Sequence, residues 1–147
     1  MKSYIDDWNQ TVISKPKLRT YAQLKSSYGV ENYVKLFVSR HHRSLMAQLR
    51  LSILPIRIET GRFVCESLEQ RICKLCERNE IEAECHVMFD CPSYSYIRNT
   101  YLDKIDFSSI NSSENVDKLK YLCETHPYIF GNLLGKIMIK RKSILYK

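Results

Sequence analysis

The chain has 147 residues and a mass of 17.4 kDa, and its composition is 44% hydrophobic and 27% charged. This size and composition are typical of one folded domain and exclude a collagen-like repeat, a coiled coil and a disordered tail. The longest apolar stretch, residues 128–139, contains Asn132 and Lys136 and falls short of the roughly 20 residues that a membrane span needs. We therefore expect residues 1–147 to form a single domain with no membrane partner.

The predicted elements are almost all helices. With only four Gly and four Pro in the chain, the sequence favours long helices over an all-β fold. The first four predicted helices cover residues 3–13, 18–27, 31–39 and 41–54. The later ones cover residues 80–90, 92–105, 113–123 and 127–146. The predicted fold class is mostly α.

Two details of this prediction depend on single residues. Pro55 closes the fourth helix, and the alternation of apolar and charged residues from Ile56 to Glu59, ahead of a Thr60-Gly61 turn, predicts a short extended segment. Thr125 is a candidate cap for the last helix, with Pro127 in its first turn.

The formal charge of +7 is unevenly distributed along the chain. Residues 15–58 hold nine Lys/Arg against one Glu, whereas residues 59–124 hold eight Lys/Arg against thirteen Asp/Glu. Residues 125–147 hold five Lys/Arg and no acid. Two basic segments therefore flank an acidic middle, which favours a nucleic-acid partner, although basic residues also serve solubility alone.

Two groups of basic residues are candidates for phosphate contacts. At about 100° per residue, Arg40, Arg43 and Arg50 fall in one sector of the fourth helix, beside an apolar sector that faces the core. The second group is the run Lys140, Arg141 and Lys142. The alternatives are a solvated face for the first group, and for the second a nuclear-import patch or a complement to the negative end of the last helix.

The cysteine pattern indicates a metal site. The amino-terminal sequence is acidic where a secretion signal would be apolar, so we expect an intracellular, nuclear or cytoplasmic protein whose thiols stay reduced. Cys73 and Cys76 form a CxxC pair, followed by His86 and then by Cys91. The resulting Cys-x2-Cys-x9-His-x4-Cys spacing predicts one tetrahedral Zn²⁺.

The third ligand has a rival. Cys85 would complete an all-cysteine site, but adjacent helical residues point about 100° apart, so Cys85 and His86 cannot both bind the ion. We favour His86 because Cys-Cys-His-Cys is a recurring zinc pattern. Cys91 lies about 140° away from His86 on a continued helix, so the helix must end, and Pro92 provides the reason. Four protein ligands leave no open coordination position, so the zinc is expected to be structural.

The remaining cysteines and histidines have no predicted metal role. We expect Cys65 and Cys123 to be core or free thiols. The histidines at positions 41, 42 and 126 have no partner at metal spacing and are expected to be ordinary polar residues.

Several motifs resemble one known family. These are KLRTY at residues 17–21, RSLMAQLR at 43–50, ILPIRIETGR at 53–62, IEAECH at 81–86, and the CxxC to HxxxxCP pattern that ends at Pro92. Over residues 9–101 the chain resembles the C-terminal zinc-binding region of non-LTR (LINE-type) retrotransposon reverse transcriptases. It departs from that family at Cys85, where an apolar residue is expected.

The resemblance implies a function without catalysis. It implies zinc binding, RNA or DNA binding, and participation in target-primed reverse transcription as one part of a larger polyprotein that contains the polymerase. The polymerase motif Tyr-x-Asp-Asp does not occur in this chain. We therefore expect a non-catalytic, nucleic-acid-binding module. The alternative is a zinc-stabilised protein-interaction module that docks an acidic partner or a neighbouring domain.

The predicted architecture is a single helical domain with a small CCHC zinc-binding hairpin/helix element. The basic helical region spans residues 15–58, the zinc-binding element spans residues 65–101, and the basic C-terminal helix spans residues 125–147.

Overall fold

The structure, a computed structural model, describes residues 2–147 and is mostly helical, as the sequence predicted. Helical residues make up 65% of the chain, and the described part contains no strand beyond one antiparallel bridge between Ile72 and Ile81. The helices are α1 (Lys2–Ser14), α2 (Arg19–Leu24), α3 (Asn32–Lys35), α4 (Arg40–Arg50), α5 (Arg57–Phe63), α6 (Ser95–Leu102), α7 (Asn115–Thr125) and α8 (Pro127–Leu145).

The third predicted helix is much shorter than expected because of its neighbour. The Ser39 hydroxyl accepts the backbone N–H of His42 at 3.2 Å and caps α4. An N-cap residue has a non-helical backbone, and Ser39 has φ −55° and ψ 146°. The predicted helix over 31–39 therefore cannot continue through Ser39. It stops at Lys35, because Leu36 is already extended with φ −97° and ψ 155°.

The extended segment predicted at residues 56–59 is wrong, because α5 occupies Arg57–Phe63. The first backbone N–H groups of α5 are satisfied from a distant part of the chain. The carboxylate of Glu82 accepts the N–H of Arg57 at 2.7 Å, and the carbonyl of Glu82 accepts the N–H of Ile58 at 3.1 Å. Gly61 lies inside α5 rather than in a turn, and a Cβ there would lie 2.6 Å from the Arg71 side chain.

The start of the last helix also differs in one detail. Thr125 is the last residue of α7, and His126 occupies the N-cap position of α8 without a side-chain hydrogen bond. The predicted Thr125 cap is therefore wrong. Pro127 begins α8, where its missing N–H costs no hydrogen bond.

Helix α8 forms the centre of the core. It packs against α4, α6 and α7, and its fully buried residues include Phe130, Leu133 and Leu134. Gly131 and Gly135 let α4 approach closely, since a Cβ at either position would lie 3.0 Å or less from His42. The predicted metal ligands lie in residues 72–94, which we call the cysteine segment. Five residues of this segment belong to the same buried cluster, namely Cys73, Val87, Met88, Cys91 and Tyr94. The cysteine segment is thus anchored to the helical core.

In the described chain, no helix combines the length and the apolar content needed to cross a bilayer.

Candidate metal centre

The CxxC pair lies in the turn between Ile72 and Ile81, which we call the cysteine turn. The backbone N–H of Cys73 donates to the carbonyl of Glu80 at 2.9 Å, next to the Ile72–Ile81 bridge. Asn79 turns the chain with a φ of +55°, a left-handed conformation that asparagine tolerates better than most residues. This reversal allows the chain between Cys73 and Glu80 to fold back on itself, so that the Ile72–Ile81 bridge closes the turn that holds Cys73 and Cys76.

His86 and Cys91 come from a short helical turn that ends as predicted. Residues 86–90 form a π-helical turn, closed by the N–H of Cys91 donating to the carbonyl of His86 at 2.7 Å. Cys91 has φ −63° and ψ 119°, the extended conformation that a following proline favours. The π turn and the break at Cys91 bring the Cys91 thiol back toward His86.

The structure brings together the four residues that the spacing predicted. The ligand atoms of Cys73, Cys76, His86 and Cys91 all lie within 4.8 Å of one another. The two buried thiols, Cys73 Sγ and Cys91 Sγ, are 3.9 Å apart, and Cys76 Sγ lies 3.5 Å from His86 Nε2. In tetrahedral geometry, Zn–S bonds of about 2.3 Å and Zn–N bonds of about 2.0–2.1 Å give S···S of about 3.8 Å and S···N of about 3.6 Å. These two distances therefore fit one four-coordinate ion.

Cys85 lies outside this cluster. It is half-buried, and burial raises the pKa of its thiol to about 11. Because His86 supplies the fourth donor, the geometry favours the Cys-Cys-His-Cys set over the all-cysteine alternative. Of the other two cysteines, Cys123 is buried in the core and Cys65 is exposed, as expected for a core thiol and a free thiol.

Backbone donors support two of the thiols. Burial raises the pKa of the Cys73 thiol to about 12, and a hydrogen bond from the Leu75 backbone acts in the opposite direction. Burial also raises the pKa of Cys91, and the Ser93 backbone likewise opposes it. In both cases the donor lies two residues after the cysteine. An N–H that favours the thiolate favours the form that binds a metal.

Glu80, which orients the histidine, was not predicted from the sequence. Its Oε2 lies 2.9 Å from His86 Nδ1, while His86 Nε2 faces Cys76. A carboxylate that accepts the Nδ1 proton leaves Nε2 free to bind a metal. The only signal was an acid six residues before the histidine, which is too common a spacing to be informative.

Glu82 was also missed, and it is a fully buried acid beside the site. Its carboxylate pairs with Arg141 of α8 and lies 3.8 Å from Cys73 Sγ. Arg141 also donates from Nε to the carbonyl of Pro55 at 3.3 Å. Glu82 therefore links the cysteine segment to both α5 and α8.

The predicted nucleic-acid residues separate into exposed and buried groups. Arg40, Lys140 and Lys142 are exposed. Arg43 is half-buried and donates to the carbonyl of Leu36 at 3.0 Å. Arg141 is only 5% exposed because it pairs with Glu82, so its predicted place in an exposed phosphate-binding run is wrong.

Arg50 is buried as well, and its predicted exposure is wrong. Its guanidinium lies 2.8 Å from the Glu31 carboxylate, 5.7 Å from the ring of Tyr21 and 6.0 Å from that of Tyr33. The helical wheel gave the angle of Arg50 correctly, but the segments around Tyr21 and Tyr33 cover that side of α4. Arg50 is thus part of the packing between α2, α3 and α4.

We predict that Arg50→Ala destabilises the fold. The free energy of unfolding, measured by urea denaturation, should fall by about 1–3 kcal/mol, because Glu31 loses a charged partner and a buried gap is left. Arg40→Ala, an exposed residue of the same helix, should change it by less than about 0.5 kcal/mol. Equal stability of the two variants would contradict the structural role of Arg50.

Comparisons of this chain with family models, with curated proteins and with solved structures found no match.

Proposed function

We propose that this chain is a non-catalytic module that binds one structural zinc ion and, through its basic residues, RNA or DNA. The observation that carries the zinc part is the convergence of the ligand atoms of Cys73, Cys76, His86 and Cys91 to within 4.8 Å of one another. Three thiols and an imidazole are a donor set that zinc prefers. With all four positions taken by protein, the ion has no site for a substrate or a reactive water, so we assign it no catalysis.

The nucleic-acid part of the proposal rests on charge. Helices α4 and α8 come from the two basic segments, residues 15–58 and 125–147, and they pack against each other. Arg40, Lys140 and Lys142 are exposed, and none of them forms an ion pair within the described chain. Cations free of local partners are available for phosphate oxygens.

We also propose a family for this chain. The motifs within residues 9–101 support a role as the C-terminal segment of a non-LTR retrotransposon reverse transcriptase polyprotein. In that role the module engages RNA or DNA template or target in the nucleus or the cytoplasm, and other domains of the polyprotein are its neighbours.

We expect binding of a labelled single-stranded oligonucleotide, followed by fluorescence anisotropy, to weaken steeply with salt. Each phosphate neutralised contributes about −0.7 to the slope of log K against log salt for a single strand. Changing Arg40, Lys140 and Lys142 together to Gln should reduce the magnitude of that slope by about 2.

The matched control removes the same number of positive charges from the acidic middle of the chain, residues 59–124. Changing Lys104, Lys118 and Lys120 together to Gln should leave the slope within about 0.5 of the original value. A flat salt response of the unmodified protein, or no binding at low salt, would refute the nucleic-acid part of the proposal. Equal effects of the two triple variants would place the interface elsewhere.

A further inference from the structure

A cavity of about 380 Å³ lies where the cysteine turn, the start of α5 and the end of α8 meet. Its size is within the roughly 300–1,000 Å³ that is usual for ligand sites. The cysteine turn contributes Lys74, which lies between Cys73 and Cys76 in the chain. The end of α8 contributes Lys142 and Leu145, and Tyr146 follows directly after the helix.

The charged side chains in the lining of this cavity are all cationic. Four cations line it, namely Arg57, Lys74, Arg141 and Lys142, and no acid of the described residues is part of the lining. Arg57 pairs with Glu66 and Arg141 pairs with Glu82, and neither acid is part of the lining. Lys74 and Lys142 are exposed and have no such partner within residues 2–147, so their charges are available to an anion that enters.

Apart from Thr60, the remaining lining is apolar or aromatic. Met138 forms part of the wall and is buried, while Leu145 and Tyr146 remain 40% and 81% exposed. A ligand that suits both the cationic and the apolar part of the lining carries a negative charge next to a flat aromatic ring that can stack on Tyr146. A nucleotide of a single strand has this chemistry, because its phosphate meets the lysines and its unpaired base meets the aromatic and aliphatic side chains. The bases of a duplex are stacked inside it and cannot enter.

A second depression continues the cavity along α8. It measures about 210 Å³ and shares Pro55, Met138 and Lys142 with the first. On its other side it is lined by polar residues of α4, His41, Ser44 and Gln48. The two depressions therefore lie next to each other between the cysteine turn and α4, with Lys142 in the lining of both, and we refer to them together as the groove.

We propose that this groove is a binding site for single-stranded RNA or DNA. One unstacked base lies in the 380 Å³ cavity against Tyr146 and Leu145, its phosphate lies between Lys74 and Lys142, and the next nucleotide lies over the 210 Å³ depression beside α4. This inference rests on the proposed nucleic-acid function and adds to it the position of the site and the class of nucleic acid.

The test compares two tyrosines of similar exposure. Tyr146 lines the cavity, whereas Tyr96 of α6 is 85% exposed and lies outside the groove lining. Tyr146→Ala should weaken the binding of a single-stranded oligonucleotide at least about fivefold, because a base stacked on an aromatic ring contributes substantially to affinity. Tyr96→Ala should change it less than about twofold. Both residues are exposed, so neither change should unfold the chain.

The lysines give a second comparison with equal loss of charge. The double change Lys74→Gln and Lys142→Gln should weaken single-strand binding more than the double change Lys104→Gln and Lys118→Gln. The unmodified protein should also prefer the single strand to a duplex of the same sequence.

The outcomes separate this site from the broader function. Two results would overturn the groove proposal without affecting the proposed nucleic-acid function. One is salt-dependent binding whose affinity does not change on Tyr146→Ala, and the other is tighter binding of the duplex than of the single strand. No binding of either oligonucleotide by the zinc-loaded protein would overturn both. A selective loss on Tyr146→Ala, together with the single-strand preference, supports both.

Discussion

Changing His86 to Ala is expected to remove the zinc ion and to destabilise the chain severely. Metal analysis of the purified protein should give one zinc per chain before the change and none after it. In small zinc-binding peptides the ion contributes about 10–16 kcal/mol, which is as large as the whole stability of a typical domain. Because Cys73 and Cys91 are part of the hydrophobic core, loss of the ion should also loosen the packing against α8.

Two further variants separate a ligand from a residue that only packs. Cys85→Ser should keep one zinc per chain and nearly the original melting temperature, since Cys85 lies outside the cluster. His86→Cys should recover zinc binding because it restores a donor at the same position, although Glu80 can no longer orient it. Zinc lost on Cys85→Ser but retained on His86→Ala would establish the all-cysteine site instead. A protein without zinc in any form would refute the metal site.

The cluster of three cysteines and one histidine could be predicted from the sequence because its geometry is set locally. The rotation of about 100° per residue separates Cys85 from His86. Pro92 forces Cys91 out of the helix, and the structure confirms that break. These effects act over a few residues, so neither requires knowledge of the tertiary fold. The positions of most long helices were predictable for the same reason, since their apolar periodicity is local.

Three of the errors share one physical cause, which is that the deciding partner lies far away in the chain. Residues 56–59 were predicted as extended from their alternation of apolar and charged residues. They form the start of α5 instead, and Glu82, 25 residues beyond Arg57, accepts the first N–H groups of that helix. Arg50 was placed at the surface because a helical wheel gives an angle but not the neighbouring segments. Arg141 lies in a run of three basic residues, and only its pairing with Glu82 distinguishes it from Lys140 and Lys142.

The pair of Glu82 and Arg141 connects three parts of the fold. All hydrogen-bonding groups of Glu82 are occupied: the carboxylate accepts from Arg141 and from the Arg57 N–H, the carbonyl accepts from Ile58, and the N–H donates to the carbonyl of Arg71 at 3.0 Å. One acid thereby joins the cysteine segment, the first turn of α5 and the last turns of α8. A buried charge pair of this kind is costly to break from one side, because the charge that remains has no partner.

We therefore expect Arg141→Met to lower the free energy of unfolding of the zinc-loaded protein by about 3–5 kcal/mol, measured by urea denaturation. For a chain of this size that loss corresponds to roughly 10 °C in melting temperature. The adjacent exposed residue is the control, and Lys140→Met should change the stability by less than about 0.5 kcal/mol. If both variants were equally stable, the pair would have no structural role.

The double change Glu82→Leu with Arg141→Met tests what the pair contributes beyond charge balance. Replacing both charges with apolar groups removes the unpaired ion, so the double variant should recover stability relative to Arg141→Met alone. It should not recover everything, because Glu82 also accepts the N–H of Arg57, and a leucine leaves that donor of α5 without its carboxylate. Full recovery would mean that the carboxylate does not hold the start of α5. No recovery would mean that the hydrogen bonds of Glu82, rather than its charge, connect the cysteine segment to the helices.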